Sequence, residues 1–404
     1  MKARRIAVLG AGIMGSSAAL LLARRGHQVD LFDAAAEPFS AASRWNEGKI
    51  HLGFIYSADP SLQTARRVLP GGLAFRPLLE NLIGCRIGDC TTPTDDLFLC
   101  HRHSVVDADA MHDYMQAVAA LVRQHPDASQ YLADASACRV ERLTARELAA
   151  ITDSPDIVAG FRVPERSVAT NWVADRYVEA LAAEPRIARH LGVRIASVTR
   201  DDAVHGGESW HVESSHGRHG RYDCIVNALW NGRMAVDATA GLPPAGKWSN
   251  RYRLSLFART TTAVAAPSAI IATGPFGDIK NYNGRDFYLS WYPSGLMMDS
   301  ALVSPPEPPL LDEAAVREKT HAIFQRLTEL LPQVGDIRQH IEQVSLRGGW
   351  VFAAGQGQLS DPRSTLHRRS DYGITAKGSF ISVDTGKYAH APLLAHALVE
   401  DFGL

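Results

Sequence analysis

Apolar residues in this chain come in short bursts whose spacing changes along its length. Residues 5–9 (Arg-Ile-Ala-Val-Leu) form a continuous apolar run after one charge, the pattern of a strand covered on both faces. From 14 to 25 the spacing becomes helical, with Ala18, Leu21 and Leu22 on one face and Gly26 as a C-terminal stop. Residues 27–33 then read as a second strand. In the middle of the chain, 143–151 predicts a short helix capped by Thr144 with Glu147 three residues on. A loop and strand follow over 163–170 and a helix over 173–182. Strands are expected over 193–199, 210–213 and 222–226. From about residue 243 the pattern is β-rich, with strands over 251–262, 268–273, 286–291 and 296–303. The proline-rich stretch 305–309 is a stiff linker, and 313–331 is a helix. The chain closes with a strand (378–383), a turn (384–388) and a helix (389–402).

These elements predict an α/β protein. A Rossmann-type domain would be assembled from 1–90, 150–235 and 340–404. A β-sheet-rich α+β substrate domain, made of 91–149 and 236–339, would be inserted in it. A length of 404 residues suits two or three domains.

The first strand–helix–strand carries Gly10-Ala11-Gly12-Ile13-Met14-Gly15, a G-x-G-x-x-G turn, and the second strand ends at Asp33-Ala34. Gly10 permits the tight turn, Gly12 lets a pyrophosphate approach the backbone, and Gly15 lets helix and strand pack closely. The helix N-terminus offers free N–H groups and a positive dipole end to the phosphates. Asp33 is placed to accept from a ribose diol. The unit therefore predicts a bound dinucleotide.

Composition changes this picture little. With 42 basic and 43 acidic residues the formal net charge is −1, and no basic stripe suggests a nucleic-acid partner. The five cysteines include no Cys-x-x-Cys, so neither a zinc site nor a disulfide framework is expected; a reducing cytoplasm fits. The sixteen histidines mostly lack metal-ligand spacing, and no metal is expected. The basic N-terminus followed by an apolar run has the look of a signal peptide, but Gly10, Gly12 and Gly15 interrupt it. No apolar stretch is long enough to predict a transmembrane helix.

The segment Ser-Ala-Ala-Ser-Arg-Trp-Asn-Glu-Gly-Lys-Ile-His-Leu-Gly, residues 40–53, favours flavin over nicotinamide. It resembles the tract after the second strand in the D-amino-acid oxidase/glycerol-3-phosphate dehydrogenase superfamily. L-2-hydroxyglutarate dehydrogenase-like and glycine oxidase-like members are the nearest in pattern. Ser43, Asn46, Gly48, Ile50, His51 and Gly53 carry the resemblance. Near the C-terminus, Asp384-Thr385-Gly386-Lys387-Tyr388 is similar to that superfamily's strand–Gly-Gly-Lys turn–helix, with Thr385 where a glycine is usual. Val226-Asn227-Ala228-Leu229-Trp230 is similar to another of its strand ends, with Leu229 in place of glycine. The resemblance implies FAD, held by residues 10–15, Asp33, Ala34, Ser43, Arg44, Asn46, Gly48, Lys49, Ile50, Ala228, Trp230 and residues 385–388. It puts Val198 beside the adenine and His51 beside the isoalloxazine ring.

The implied chemistry is oxidation of a C–H next to an amine or hydroxyl of a small substrate such as an amino acid, amine or 2-hydroxy acid. His51 is the first candidate for handling the proton. Arg347, in Val-Ser-Leu-Arg-Gly-Gly-Trp, is the candidate grip for an anionic group of the substrate. Tyr288 and Tyr292 are candidates to line the site. Because alternate strand residues share a face, Tyr288 and Ser290 should point away from Leu289 and Trp291. Lys49 is a candidate cation for the flavin's N1–C2 edge. Electrons would pass on to molecular oxygen or another acceptor. Two other readings stay open: an NAD-dependent 3-hydroxyacid-type dehydrogenase, whose second half should be mostly helical, and a non-catalytic flavin-binding protein.

Overall fold

The computed structural model describes residues 3–201 and 208–404. Arg5–Leu9 lies near the centre of a six-stranded sheet, in the order Gly373–Lys377, Phe380–Asp384, Cys224–Asn227, Arg5–Leu9, Gln28–Asp33, Ile187–Leu191. All neighbours are parallel except the pair at the Gly373–Lys377 edge. The apolar run has its physical reason here, because both faces of the strand are covered. Ile6 and Val8 point into a core shared with the helices Ile13–Arg24, Gln63–Ile83, Thr170–Ala183 and Ala391–Asp401. Ala7 and Leu9 point the other way, into a core shared with Val198, Trp210 and Val212 of a three-stranded antiparallel sheet and Val236 of a short helix. Gly26 ends the first helix at φ +93°, its N–H on the carbonyl of Ala23.

The second body is a nine-stranded sheet. Its strands have one apolar and one polar face, as period-2 alternation requires. Leu256, Ala258, Ile279, Leu289, Trp291, Leu97 and Leu99 face a core closed by the helices Glu313–Leu330 and Gln333–Gln339. The opposite face turns toward the Rossmann-type body and bears a polar series that includes Arg251, Arg253, Ser255, Asp278, Lys280, Tyr288, Ser290 and Asp96. The strands Ile157–Val163 and Ile341–Ala354, which fall in the expected cofactor-domain segments, hydrogen-bond into this sheet. Pattern reading passes over five of its nine strands, Asp96–His101, Glu141–Arg142, Ile157–Val163, Gly277–Asn281 and Ile341–Ala354, and the helix Ala108–Gln124. It also merges Tyr222 with 223–226. The antiparallel strand in fact ends at Tyr222 and a parallel one begins at Cys224, with the Asp223 carboxylate taking the N–H of Arg5 at 2.8 Å. The capping box at Thr144 and Glu147 forms as expected. Among the described residues no helix is long and apolar enough to cross a membrane.

The two bodies meet over a buried cluster of charge. Lys49 belongs to a two-residue ribbon strand, Lys49–Ile50, paired with Arg166–Ser167. Its ammonium contacts the Asp96 carboxylate and lies 3.0 Å from Glu165; Lys280 reaches Asp96 at 2.8 Å. All four side chains are sealed from solvent. Burial opposes the charge on Lys49, but Asp96 and Glu165 outweigh it and hold the lysine above its ordinary value. Burial likewise opposes ionisation of Asp96, yet Lys280 and Lys49 keep its carboxyl below the usual range. Removing one member leaves an uncompensated buried charge, which costs about 3–5 kcal/mol. Asp96→Asn should therefore destabilise the protein by roughly that amount in denaturant unfolding. Because the folded-state value is depressed, the wild-type advantage should be full above the free carboxylate value of ~4 and shrink as pH falls below it. An unchanged midpoint at pH 7 would refute this.

Candidate active site

The glycine turn is built as a phosphate cradle. Gly10 has φ +99°, and a Cβ there would lie 2.6 Å from the Ala228 carbonyl oxygen. A Cβ on Gly15 would lie 1.8 Å from the Gly10 carbonyl oxygen, so this glycine is demanded by helix–strand contact. At Gly12 a Cβ would meet only the Ser43 hydroxyl, at 2.8 Å. Gly12 is also the N-cap of the helix Ile13–Arg24 and offers it no side-chain cap, so the helix end keeps donors for an anion. Asp33 accepts from the N–H of Ala11 at 2.7 Å and of Ala35 at 2.8 Å, which pins its carboxylate beside the turn with lone pairs to spare. Ala34 beside it is exposed, whereas Ala11, Ile13 and Met14 are buried. These features fit a dinucleotide pyrophosphate and ribose.

The segment after the second strand wraps this turn. Ser43 accepts from the Ile13 N–H at 3.0 Å. Arg44 pairs with Asp175 at 2.9 Å. The Asn46 carboxamide takes the Gly48 N–H at 2.8 Å and donates to the Ala42 carbonyl. Gly48 adopts φ +64°, and a Cβ there would also strike the Val168 carbonyl oxygen, so both conformation and space call for glycine. Ile50 is buried, its carbonyl capped by the Tyr131 hydroxyl. The turn that follows holds His51, and Glu165 fixes that turn by accepting from the N–H groups of Leu52 and Gly53.

His51 is buried, its Nδ1 has no hydrogen-bond partner, and it faces a cavity of about 200 Å³ that is partly open to solvent. Burial, with Lys387 and Lys49 nearby, holds the imidazole well below its usual value, so it is neutral at ordinary pH. Lys49, Tyr292 and Lys387 reach the same cavity. Burial, Arg369 and other cations pull Lys387 down to about 7. Lys387 follows Gly386, which sits at φ +60° against the Tyr372 ring; the Thr385 carbonyl accepts from His390, and Tyr388 packs on Phe75.

Other expected residues lie elsewhere. Tyr288 does point away from Leu289, but its hydroxyl bonds Ser255 at 2.9 Å and it is not on the cavity wall. Val198 is sealed in the core between the six- and three-stranded sheets. Ala228 backs the Gly10 turn, and Trp230, at φ +55°, donates its indole N–H to the Trp350 carbonyl. Arg347 does not face the cavity: it is exposed on Ile341–Ala354, its guanidinium 5.5 Å from the Trp45 ring centre. The guanidiniums that do face it are Arg251, Arg253 and Arg369, with the carboxylates Glu47 and Asp278 and the phenol of Tyr56. Sequence reading missed these. Arg251-x-Arg253 within an expected strand was the available signal, since two cations two residues apart share a face.

The sequence model of the family described as FAD dependent oxidoreductase matches residues 5–367. The chain belongs to this family. FAD is thus the cofactor that the turn is shaped for, which sets aside the NAD-dependent reading. The β-rich second body agrees. Glycine oxidase from Geobacillus kaustophilus superposes with a TM-score of 0.68 over 98% of this chain and 94% of that one, at 15% identity. Iminodiacetate oxidase from Chelativorans sp. BNC1 gives 0.65 over 99% and 95%, at 16% identity. L-Proline dehydrogenase from P. horikoshii gives 0.64 over 99% and 94%, at 13%. At such identities the likeness is one of fold. Kynurenine 3-monooxygenase from Salinispora tropica is 49% identical over 49 residues, 12% of this chain and 11% of that protein. A tRNA 5-methylaminomethyl-2-thiouridine biosynthesis bifunctional protein from Polaromonas naphthalenivorans is 28% identical over 247 residues, 60% of this chain and 34% of that one. The chain thus spans about a tenth to a third of the length of these curated relatives.

The glycine contacts separate folding from cofactor retention in this oxidoreductase. Gly12→Ala asks only a hydroxyl to move, so it should leave the circular dichroism and the unfolding midpoint of the cofactor-free protein nearly unchanged while lowering bound flavin per chain at least several-fold. Gly15→Ala drives a methyl into backbone and should lower the midpoint itself. Equal flavin content in wild type and Gly12→Ala would remove the pyrophosphate assignment.

Proposed function

We propose that this oxidoreductase oxidises a C–H bond next to an amine of a small carboxylate-bearing substrate, an amino or imino acid, with 2-hydroxy acids as the second class. The observation that carries this reading is the set of cavity cations without carboxylate partners. Arg251, Arg253, Arg369 and Lys387 line the cavity, and none forms an ion pair among the described residues. A guanidinium grips a carboxylate through parallel N–H donors, which orients the substrate as well as binding it. Three of the superposing proteins are named for oxidation of glycine, iminodiacetate and L-proline, and this favours the amine over the hydroxyl.

The glycine turn, Asp33, Ser43 and the residue 385–388 turn would hold the cofactor. FAD, when bound, supplies the two-electron acceptor. The rest falls to the chain's own side chains. Arg251 and Arg253 hold the substrate carboxylate. Neutral His51, with a free ring nitrogen, accepts the N–H or O–H proton. Tyr56 and the apolar wall at Ile55, Ile270 and Ile271 keep water from the reacting carbon. The substrate loses two electrons and two protons and leaves as an imine or a keto acid. The electrons are then passed to oxygen or another acceptor.

An anaerobic screen of amino acids, imino acids and hydroxy acids, read by bleaching of the flavin bands, tests this directly. Bleaching by at least one carboxylate-bearing member is expected, and a panel that leaves the bands intact refutes the reading. His51→Ala should slow bleaching roughly 10²-fold or more and leave flavin content unchanged. An unaltered rate would discard the proton-handling role. Arg347→Ala should leave the substrate KM within about twofold of wild type, because its guanidinium packs on Trp45. A tenfold rise would return the anion grip to Arg347.

A further inference from the structure

The cavity holds more fixed positive charge than one carboxylate uses. Lys49 is consumed by Asp96 and Glu165, so it does not count. Three arginines remain on the wall, Arg251, Arg253 and Arg369, with Lys387 pulled down to about 7 and so only partly charged, facing two carboxylates, Glu47 and Asp278. Asp278 already takes the Ser290 hydroxyl, and burial together with Glu47 raises it toward its neutral form. With Asp278 drawn toward its neutral form, three arginines face one carboxylate, an excess of about two positive charges in a half-buried site, where an unmatched charge is costly.

The donors are also laid out as separate seats. Arg251 and Arg253 share a face of the strand Trp248–Thr260, and Tyr292 stands with both. The nearer tip of Arg251 donates to the Tyr292 hydroxyl at 3.2 Å, while the Arg253 guanidinium lies 4.6 Å from the Tyr292 ring centre. The Nε of each arginine has no partner. Arg369 belongs to a different wall, the C-terminal segment. It is braced by the carbonyls of Phe352 and Gly386 at 2.9 and 3.2 Å and stands near Lys387. None of residues 10–15 lines this cavity, so these cations are not the pyrophosphate's partners.

We infer that the substrate is dianionic: a dicarboxylic amino acid or an imino diacid, with one carboxylate on Arg251 and Arg253 and the second at Arg369. This rests on the amino-acid oxidation proposed above and narrows it. A monocarboxylate would leave one seat unneutralised. A substrate with a cationic side chain would meet the surplus directly.

Two measurements test it. The first is calorimetric binding of succinate, glutarate and malonate, against acetate and propionate, to the cofactor-free and FAD-loaded protein. At least one diacid should bind tenfold or more tighter than either monoacid, with a steeper salt dependence. Arg253→Gln and, separately, Arg369→Gln should cut that preference to threefold or less while flavin content stays at the wild-type level. The second is anaerobic flavin reduction by aspartate, glutamate (both enantiomers) and iminodiacetate against alanine, glycine and proline. A kcat/KM at least tenfold higher for one diacid supports the inference. Reduction by monocarboxylic amino acids alone, or equal binding of mono- and diacids, overturns the inference and leaves the general reading standing. Failure of every acid in both groups to reduce the flavin overturns both.

Discussion

The structure depends on four buried charges placed where its two bodies meet. Lys49 and Glu165 come from the segments that wrap the cofactor turn, and Asp96 and Lys280 come from the polar face of the large sheet. Taking such groups out of water is costly, and their mutual attraction repays the cost only when all four are present in good geometry. That requirement sets register. The ribbon Lys49–Ile50 cannot slide along the sheet without stranding a charge, and His51 follows in the next position. Glu165 adds a second constraint by holding the Leu52 and Gly53 amides. The imidazole's position is thus settled by electrostatics beneath it rather than by contacts of its own.

Two kinds of anion recognition sit on either side of this junction, and they work differently. At the glycine turn the donors are backbone N–H groups and a helix dipole, so side chains must be absent, and the contacts at Gly10, Gly12 and Gly15 show how little room a Cβ would have. In the cavity the donors are long cationic side chains rooted in the polar face of the large sheet and in the C-terminal segment. Backbone donors suit a cofactor common to a whole family. Side-chain donors can be exchanged one by one without disturbing the backbone that carries them.

Much of the first unit was legible in the chain. The strand, the glycine spacing, the helix and its Gly26 stop, and Asp33 are local features, each dictated by backbone conformation within a few residues. The same holds for the Thr144 capping box and for the alternation that sends Leu289 and Trp291 inward. Arg347 shows the opposite case. Its motif was suggestive, and its pairing with Ser255 does put it on the sheet face of Arg251 and Arg253, but it lies further along that face, against Trp45 and off the cavity wall, a displacement no local pattern encodes. Val198 is similar: nothing local told a core valine from one beside a ligand.

By itself, then, the sequence determined the dinucleotide turn, the α/β character of the first unit and the β-rich second half, because these follow from short-range spacing of glycine, apolar and polar residues. Only the tertiary structure decided which cations share a cavity, which lysine is neutralised and which is left free. Those choices depend on segments that lie from 47 (Lys49 and Asp96) to 338 residues (Lys49 and Lys387, 387 − 49) apart in the chain and meet only through sheet pairing and packing.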